Sequence, residues 1–221
     1  MDKTSMKHPD FQTYFSEFAY PKLAHRADSF KFAFDHLAKL AKPACIIETG
    51  CVRNADTWSG EGQSTLLFDK YSEYHPGATV HSVDISPQST DLCKALVSER
   101  VQVHTMDSVH FLRQVLPTLL APGQTIDLLY LDSYDVDFDD PHPSAMHHMK
   151  ELLAAAPFIS PSTLILVDDS PTSGSYFMEG SYIKFASTPR ISGKGKYVAS
   201  YMENVGNAPV VQSYQAAWFG I

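Results

Sequence analysis

"IDLLYLDS", residues 126–133, is an apolar run of strand length that stops on an acid. The same texture returns in "ACIIETG" (44–50), "ATVHSVDIS" (78–86), "VQVHTMDS" (101–108) and "TLILVDDS" (163–170). Short apolar runs bounded by turn residues read as strands buried on both faces. Between them lie helix-compatible segments, "QSTLLFDKYSEY" (63–74), "QSTDLCKALVSE" (88–99), "SVHFLRQVLPTLL" (108–120) and "PSAMHHMKELLAAAPF" (143–158). Strands alternating with helices imply a doubly wound α/β fold, a mostly parallel sheet with helices on both faces. The Gly-, Ser- and Pro-rich stretch from 170 to 193 reads as a long loop with room for a short strand. A helix at 197–206 and a terminal strand within 208–220 follow. Upstream, Phe15, Phe18 and Leu23, then Phe30, Phe34, Leu37 and Leu40, fall at helical spacing, two helices parted near Pro21. Residues 1–42 are thus expected to form an N-terminal helical extension on a single globular domain carried by 43–221.

The totals limit the function classes. A chain of 221 residues with 44% hydrophobic and 19% charged residues is long enough to bury a full core without staples. A net charge of -8 without a local basic patch argues against a nucleic-acid partner. No stretch approaches the roughly 20 apolar residues of a membrane span, and the start lacks a signal-peptide pattern, so a soluble, cytoplasmic protein without a membrane partner is expected. Cys45, Cys51 and Cys93 lack zinc-site spacing and read as reduced thiols.

The placement of the acids is more informative. Glu48, Asp84, Asp107, Asp132, Asp168 and Asp169 all fall at predicted strand C-termini, the edge of a parallel sheet where ligands bind. One such acid reads as a helix N-cap; the whole set does not. Gly50 at the first strand-to-loop turn, with Gly60 and Gly62 before the next helix, lets backbone approach a ligand. The G-x-G-x-x-G of a dinucleotide cradle is missing, because "CVRNADTWS" intervenes. Glu48 would repel a pyrophosphate but suits a cationic sulfonium or amino group. Asp84 can accept both hydroxyls of a ribose.

This succession, an E-x-G turn followed by acids ending the next four strands, resembles the class I S-adenosylmethionine-dependent methyltransferases over residues 43–170. The "LDSYD" and "LVDDS" pair further resembles the metal-dependent O-methyltransferases of the catechol and macrocin type and the cephalosporin-hydroxylase-like group. The resemblance implies a Rossmann-like methyltransferase sheet. It places Glu48 and Gly50 at the methionine, Asp84 at the ribose and Asp107 with Ser108 at the adenine. Gln63 and Ser64 join the cofactor side, and Asp132, Asp168 and Asp169 would hold Mg²⁺ or Mn²⁺. All-oxygen ligation suits those ions, which would template and acidify a substrate hydroxyl. The departures are the insertion after Gly50 and Asp135, which stands where related enzymes carry a basic residue that takes the substrate proton. Asp135 and His142 are the two candidates for that role. His147 and His148 lie in a helix pattern and read as surface or core residues, "GKGKY" (193–197) as a helix lead-in, and Asp137, Asp139 and Asp140 as a solvated turn. Tyr14, Phe15, Phe18 and Tyr20 cover a substrate or pack.

The leading expectation is methyl transfer to a hydroxyl of a small sugar or natural-product acceptor, with a homo-oligomer left open. The rivals are a nicotinamide-dependent oxidoreductase and a non-catalytic binding module on the same fold.

Overall fold

The computed structural model describes residues 8–61, 63–172, 176–179, 182–185 and 190–221. Gly62, the start "MDKTSMK" and parts of the 170–193 loop lie outside the described residues. The five expected strands form as β1 (Cys45–Thr49), β2 (Thr79–Asp84), β3 (Val101–Thr105), β4 (Ile126–Leu131) and β5 (Ile159–Val167). All pair in parallel, and β5 starts four residues before the expected run. Within the 170–193 loop, β6 (Tyr176–Glu179) and β7 (Tyr182–Phe185) pair antiparallel as a small separate sheet. The expected terminal strand is instead a pair, β8 (Val211–Gln212) and β9 (Ala216–Phe219), which turns back so that β9 lies antiparallel to β5. The main sheet runs β3-β2-β1-β4-β5-β9-β8, a doubly wound Rossmann-like topology.

Period-two alternation divides the core. Ile46, Leu128, Tyr130, Leu164 and Leu166 face one side, where they meet Phe30 and Phe34 of the helix Ala27–Leu37 and Phe68 of the helix Ser64–Tyr74. Ile47, Leu129, Leu131, Ile165 and Val167 face the other, against Phe111, Leu152, Val198 and Met202. The N-terminal helical segments are continuous with the first core: Phe11, Tyr14 and Phe15 are buried in it, and Pro21 sits in the short turn Tyr20–Lys22 that parts them. No helix among the described residues is long and apolar enough to cross a membrane.

Candidate active site

Strand order reverses between β1 and β4, so the chain leaves these neighbours in opposite directions and opens a crevice at their carboxyl ends. A cleft of about 350 Å³ lies there, within the range of small-molecule sites. Four strand ends supply walls: Gly50 and Cys51 after β1, Asp84 at the end of β2, Asp132 and Ser133 after β4, Asp169 after β5. Arg26, Gln63, Lys194 and Tyr214 close it from outside the sheet.

Gly50 is required by geometry. Its φ is +81°, and a Cβ there would lie 2.5 Å from the carbonyl oxygen of Asp132, so a side chain would wedge β1 from β4. Glu48, two residues earlier on β1, is not among the residues lining the cleft. It is fully buried and accepts hydroxyls from Ser64 at 2.5 Å, Thr65 at 2.7 Å and Ser82 at 2.5 Å. Burial pushes its carboxyl up to about 7 against the pull of those three hydroxyls. Glu48 therefore ties the start of the helix Ser64–Tyr74 to β1 and β2 and stands behind the cleft, where direct contact with the methionine part had been expected. Gln63, which opens that helix at φ +52°, is itself buried at the inner end of this arrangement. It lines the cleft, donates to the Asn54 carbonyl at 2.7 Å, and leaves Oε1 buried with no partner among the described residues. Asp84 accepts from the Ser86 and Cys51 amides at 2.7 and 3.3 Å and keeps lone pairs toward the cleft.

The expected acidic trio does converge: oxygens of Asp132, Asp168 and Asp169 lie within 4.8 Å of one another. What faces them is protein. Arg26 Nε donates to both oxygens of Asp168 at 2.9 Å, its NH2 reaches Asp169 Oδ1 at 3.1 Å, and its NH1 donates to the Gly60 carbonyl at 2.9 Å. Lys194 Nζ bonds Asp132 Oδ1 and meets Asp169 Oδ2 at 3.0 Å. Tyr214 adds a hydroxyl to Asp169 Oδ1 at 2.5 Å, and Gln215 donates to Asp168 Oδ1 at 2.9 Å. Burial alone would raise Asp169, but Lys194 and Arg26 outweigh it and hold it at about 2. For Asp132 burial prevails and raises the carboxyl well above the usual range, with Lys194 opposing. Burial works against charge on Lys194, yet the surrounding carboxylates keep its ammonium protonated beyond its ordinary range. Asp169 itself holds φ +40°, an uncommon conformation that aspartate tolerates better than most residues and that strained sites collect.

The other expected residues scatter. Asp135 lines the cleft, but Arg53 donates to it at 2.8 Å and, first among the causes, that bond lowers its pKa. His142 begins the helix His142–Ala155, where its ring meets the Tyr197 hydroxyl at 2.6 Å, and it is not among the residues lining the cleft. Asp107 caps the helical turn Ser108–His110 by accepting from the His110 amide at 2.8 Å. Ser108 bonds His147 Nε2 at 2.9 Å, and neither Asp107 nor Ser108 lines the cleft. His148 is buried in the core, its ring on the Ser144 carbonyl at 2.7 Å. Asp137, Asp139 and Asp140 are exposed, and two of them accept loop amides, Asp137 from Asp139 and Asp140 from His142. Tyr14 and Phe15 pack, while Phe18 lies edge-on to Trp58 at 5.7 Å.

Two residues at the centre were missed. Arg26 shares a helical stripe with Phe30, Phe34 and Leu37, and a charge on a core-facing stripe is the signal that would have found it. Lys194 sits in "GKGKY", flanked by glycines that let it press against β5, and it is almost fully buried.

The cleft fits a nucleoside sulfonium: Gly50 admits close approach, Asp84 presents acceptors to hydroxyls, and the orphaned Gln63 Oε1 awaits a donor such as an amino group. The trio does not fit a divalent ion as arranged. Asp168 is fully buried with both oxygens taken, and of the trio only Asp132 Oδ2 receives no hydrogen bond from the described residues. The expected convergence is found; the expected open donor set is not.

A family model described as a methyltransferase domain matches residues 59–170. No curated protein sequence matches the chain. Among solved structures, apo CalS11, described as a TDP-rhamnose 3'-O-methyltransferase of calicheamicin biosynthesis, aligns with a TM-score of 0.54 and 14% identity over 95% of this chain and 90% of that one. DesVI of Streptomyces venezuelae aligns with a TM-score of 0.50 and 8% identity over 95% and 98%. The MycE methyltransferase of the mycinamycin biosynthetic pathway, in complex with Mg and SAH, aligns with a TM-score of 0.47 and 17% identity over 74% of this chain. This chain spans 38% of the MycE chain. At these identities the likeness to CalS11 and DesVI speaks for the fold.

Proposed function

The chain belongs to the methyltransferase-domain family, and from that premise we propose that it transfers a methyl group from S-adenosylmethionine to a hydroxyl of a small molecule. The observation that carries the reading is the cleft at the β1/β4 switch point, where Gly50, Asp84 and Gln63 converge. When bound, the cofactor supplies an electrophilic methyl carbon on a sulfonium. Gly50 allows the backbone to lie against it, Asp84 accepts from the ribose hydroxyls, and Gln63 Oε1 accepts from the amino group. Asp132 faces the same space with an Oδ2 that has no hydrogen bond from the described residues, and it takes the acceptor proton, for which its raised pKa suits it better than Asp135. No step is routed through a metal.

A sugar or natural-product hydroxyl is the acceptor class we favour. CalS11 is described as acting on a TDP-rhamnose 3'-hydroxyl, and the polar lining of Arg53, Glu61, Ser64 and Ser133 suits a hydroxylated molecule. Calorimetry tests the cofactor. S-Adenosylmethionine should bind and NAD should not, and Asp84→Ala should weaken binding about tenfold to a hundredfold, since charge-assisted hydrogen bonds contribute roughly 1.5–3 kcal/mol. Undiminished affinity in Asp84→Ala would remove the ribose assignment, and NAD binding in place of S-adenosylmethionine would remove the reading.

A further inference from the structure

We propose that Lys194, backed by Arg26, is the built-in counter-cation of the Asp132–Asp168–Asp169 cluster, so that the reaction proposed above runs without a divalent ion. The inference rests on that reading for its chemistry but on geometry for its content. Arg26 takes both oxygens of Asp168 and one of Asp169, Lys194 takes one oxygen each from Asp132 and Asp169, and Tyr214 and Gln215 add further donors. Mg²⁺ demands near-octahedral oxygen ligation at about 2.1 Å, and here it would first have to expel a buried ammonium.

Charge points the same way. Three carboxylates against two internal cations leave one net negative charge, which attracts a sulfonium. A divalent ion beside Lys194 would make the set net positive, and one that displaced Lys194 would leave it neutral, so in either case the attraction for the sulfonium is lost.

The delivery of Lys194 is also built in. Gly193 holds φ +58°, and a Cβ there would lie 1.9 Å from the carbonyl oxygen of Asp169. The Lys194 amide donates to that same carbonyl at 3.0 Å. The turn Gly193–Gly195 therefore interlocks with the end of β5 and leaves the lysine stem one direction, into the carboxylates. Lys194 acts as a positioning residue. It holds Asp132 by Oδ1 and leaves Oδ2 for the acceptor.

The test is a Mn²⁺ titration followed by electron paramagnetic resonance of the free ion, on full-length protein without cofactor or acceptor. Wild type is expected to show no site tighter than the millimolar range, and Lys194→Arg should be equally indifferent. Lys194→Ala vacates the carboxylates and should bind Mn²⁺ at least about tenfold more tightly, because like charges left unpaired recruit a cation. Adding Asp132→Asn to Lys194→Ala should abolish that gain. A micromolar Mn²⁺ site in wild type that Asp132→Asn removes would overturn the proposal, as would a folded Lys194→Ala with unchanged Mn²⁺ affinity. If Lys194→Ala does not fold, the wild-type and Lys194→Arg titrations still decide. Turnover unchanged by a chelator would support the proposal, and turnover restored only by Mg²⁺ would overturn it. Failure to bind S-adenosylmethionine in calorimetry would instead strike the methyl-transfer reading and leave the titration intact.

Discussion

Asp132 and Asp135 lie three residues apart in one loop and both border the cleft, yet their neighbours give them opposite properties. Burial raises Asp132, whereas the Arg53 hydrogen bond lowers Asp135. A base must be unpaired toward the substrate and have a pKa near the working pH, and a positioned base contributes about 10²–10⁴-fold. Asp132→Asn is therefore expected to lower kcat at least about a hundredfold while calorimetry shows the cofactor still bound. Asp135→Asn removes only a largely exposed ion pair, and pairs of that kind contribute little, so kcat should fall by less than about tenfold. His142→Ala, whose ring is occupied with Tyr197, should be near normal. The opposite ranking, with Asp135→Asn or His142→Ala dead and Asp132→Asn active, would return the proton to the two residues first considered for that role. Spacing could bring the acids to one edge of the sheet. It could not show which of them an arginine from a distant loop would neutralise.

The strand-to-loop turns were the legible elements, because an apolar run followed by an acid is a local pattern and needs no knowledge of partners. β1 to β5 and the helices between them follow from it, and so does the convergence of Asp132, Asp168 and Asp169. Elements whose meaning depends on what they pack against were not legible. The turn Gly193–Gly195 has no strand before it and reads as a lead-in, yet it inserts the cation of the site. The end of the chain reads as one strand because the bend between β8 and β9 carries no Gly, Pro or Asn; Ser213 and Tyr214 make it, with the Ser213 amide on the Gln215 carbonyl at 3.0 Å. Gly193→Ala tests the importance of the inserted turn. At Gly206, also left-handed at φ +78° but with nothing within 4 Å of an added Cβ, the same change should cost only the backbone term of about 1–2 kcal/mol. Gly193→Ala adds a clash with the Asp169 carbonyl and should depress the melting temperature further, with kcat falling as Lys194 is displaced. Equal losses in the two variants would show that the turn is not held against β5 as described.

At the scale of the whole molecule the buried titratable groups make folding stability depend on pH, with contributions of opposite sign. Burial lowers His81 and His148 to about 4, while the unfolded chain titrates near the ordinary 6.5. Between about pH 4 and 6.5 the unfolded state then binds more protons, and stability is lost as pH falls at roughly 1.4 kcal/mol per pH unit for each group. His36, His75 and His104 are lowered by burial and act in the same sense. Glu48, raised by burial to about 7 from an ordinary 4.5, binds its proton in the folded state first, so its contribution is present at low pH and lost as pH rises through 7. His147, raised by its bond to Glu151, and Asp132, raised by burial, share that sign. The histidines outnumber the opposing groups, so stability should fall on acidification from pH 6.5 to 4.5, less steeply than the histidines alone would produce. Glu48→Gln removes one opposing proton. Urea unfolding at several values between pH 4.5 and 8 should show the variant losing stability more steeply with acid than wild type. The stability of wild type relative to Glu48→Gln should decline as pH rises toward 7 and then level off. A difference between the two proteins that stays constant with pH would mean that Glu48 is ionised in the fold at all these values, and that the three hydroxyls on its oxygens outweigh its burial.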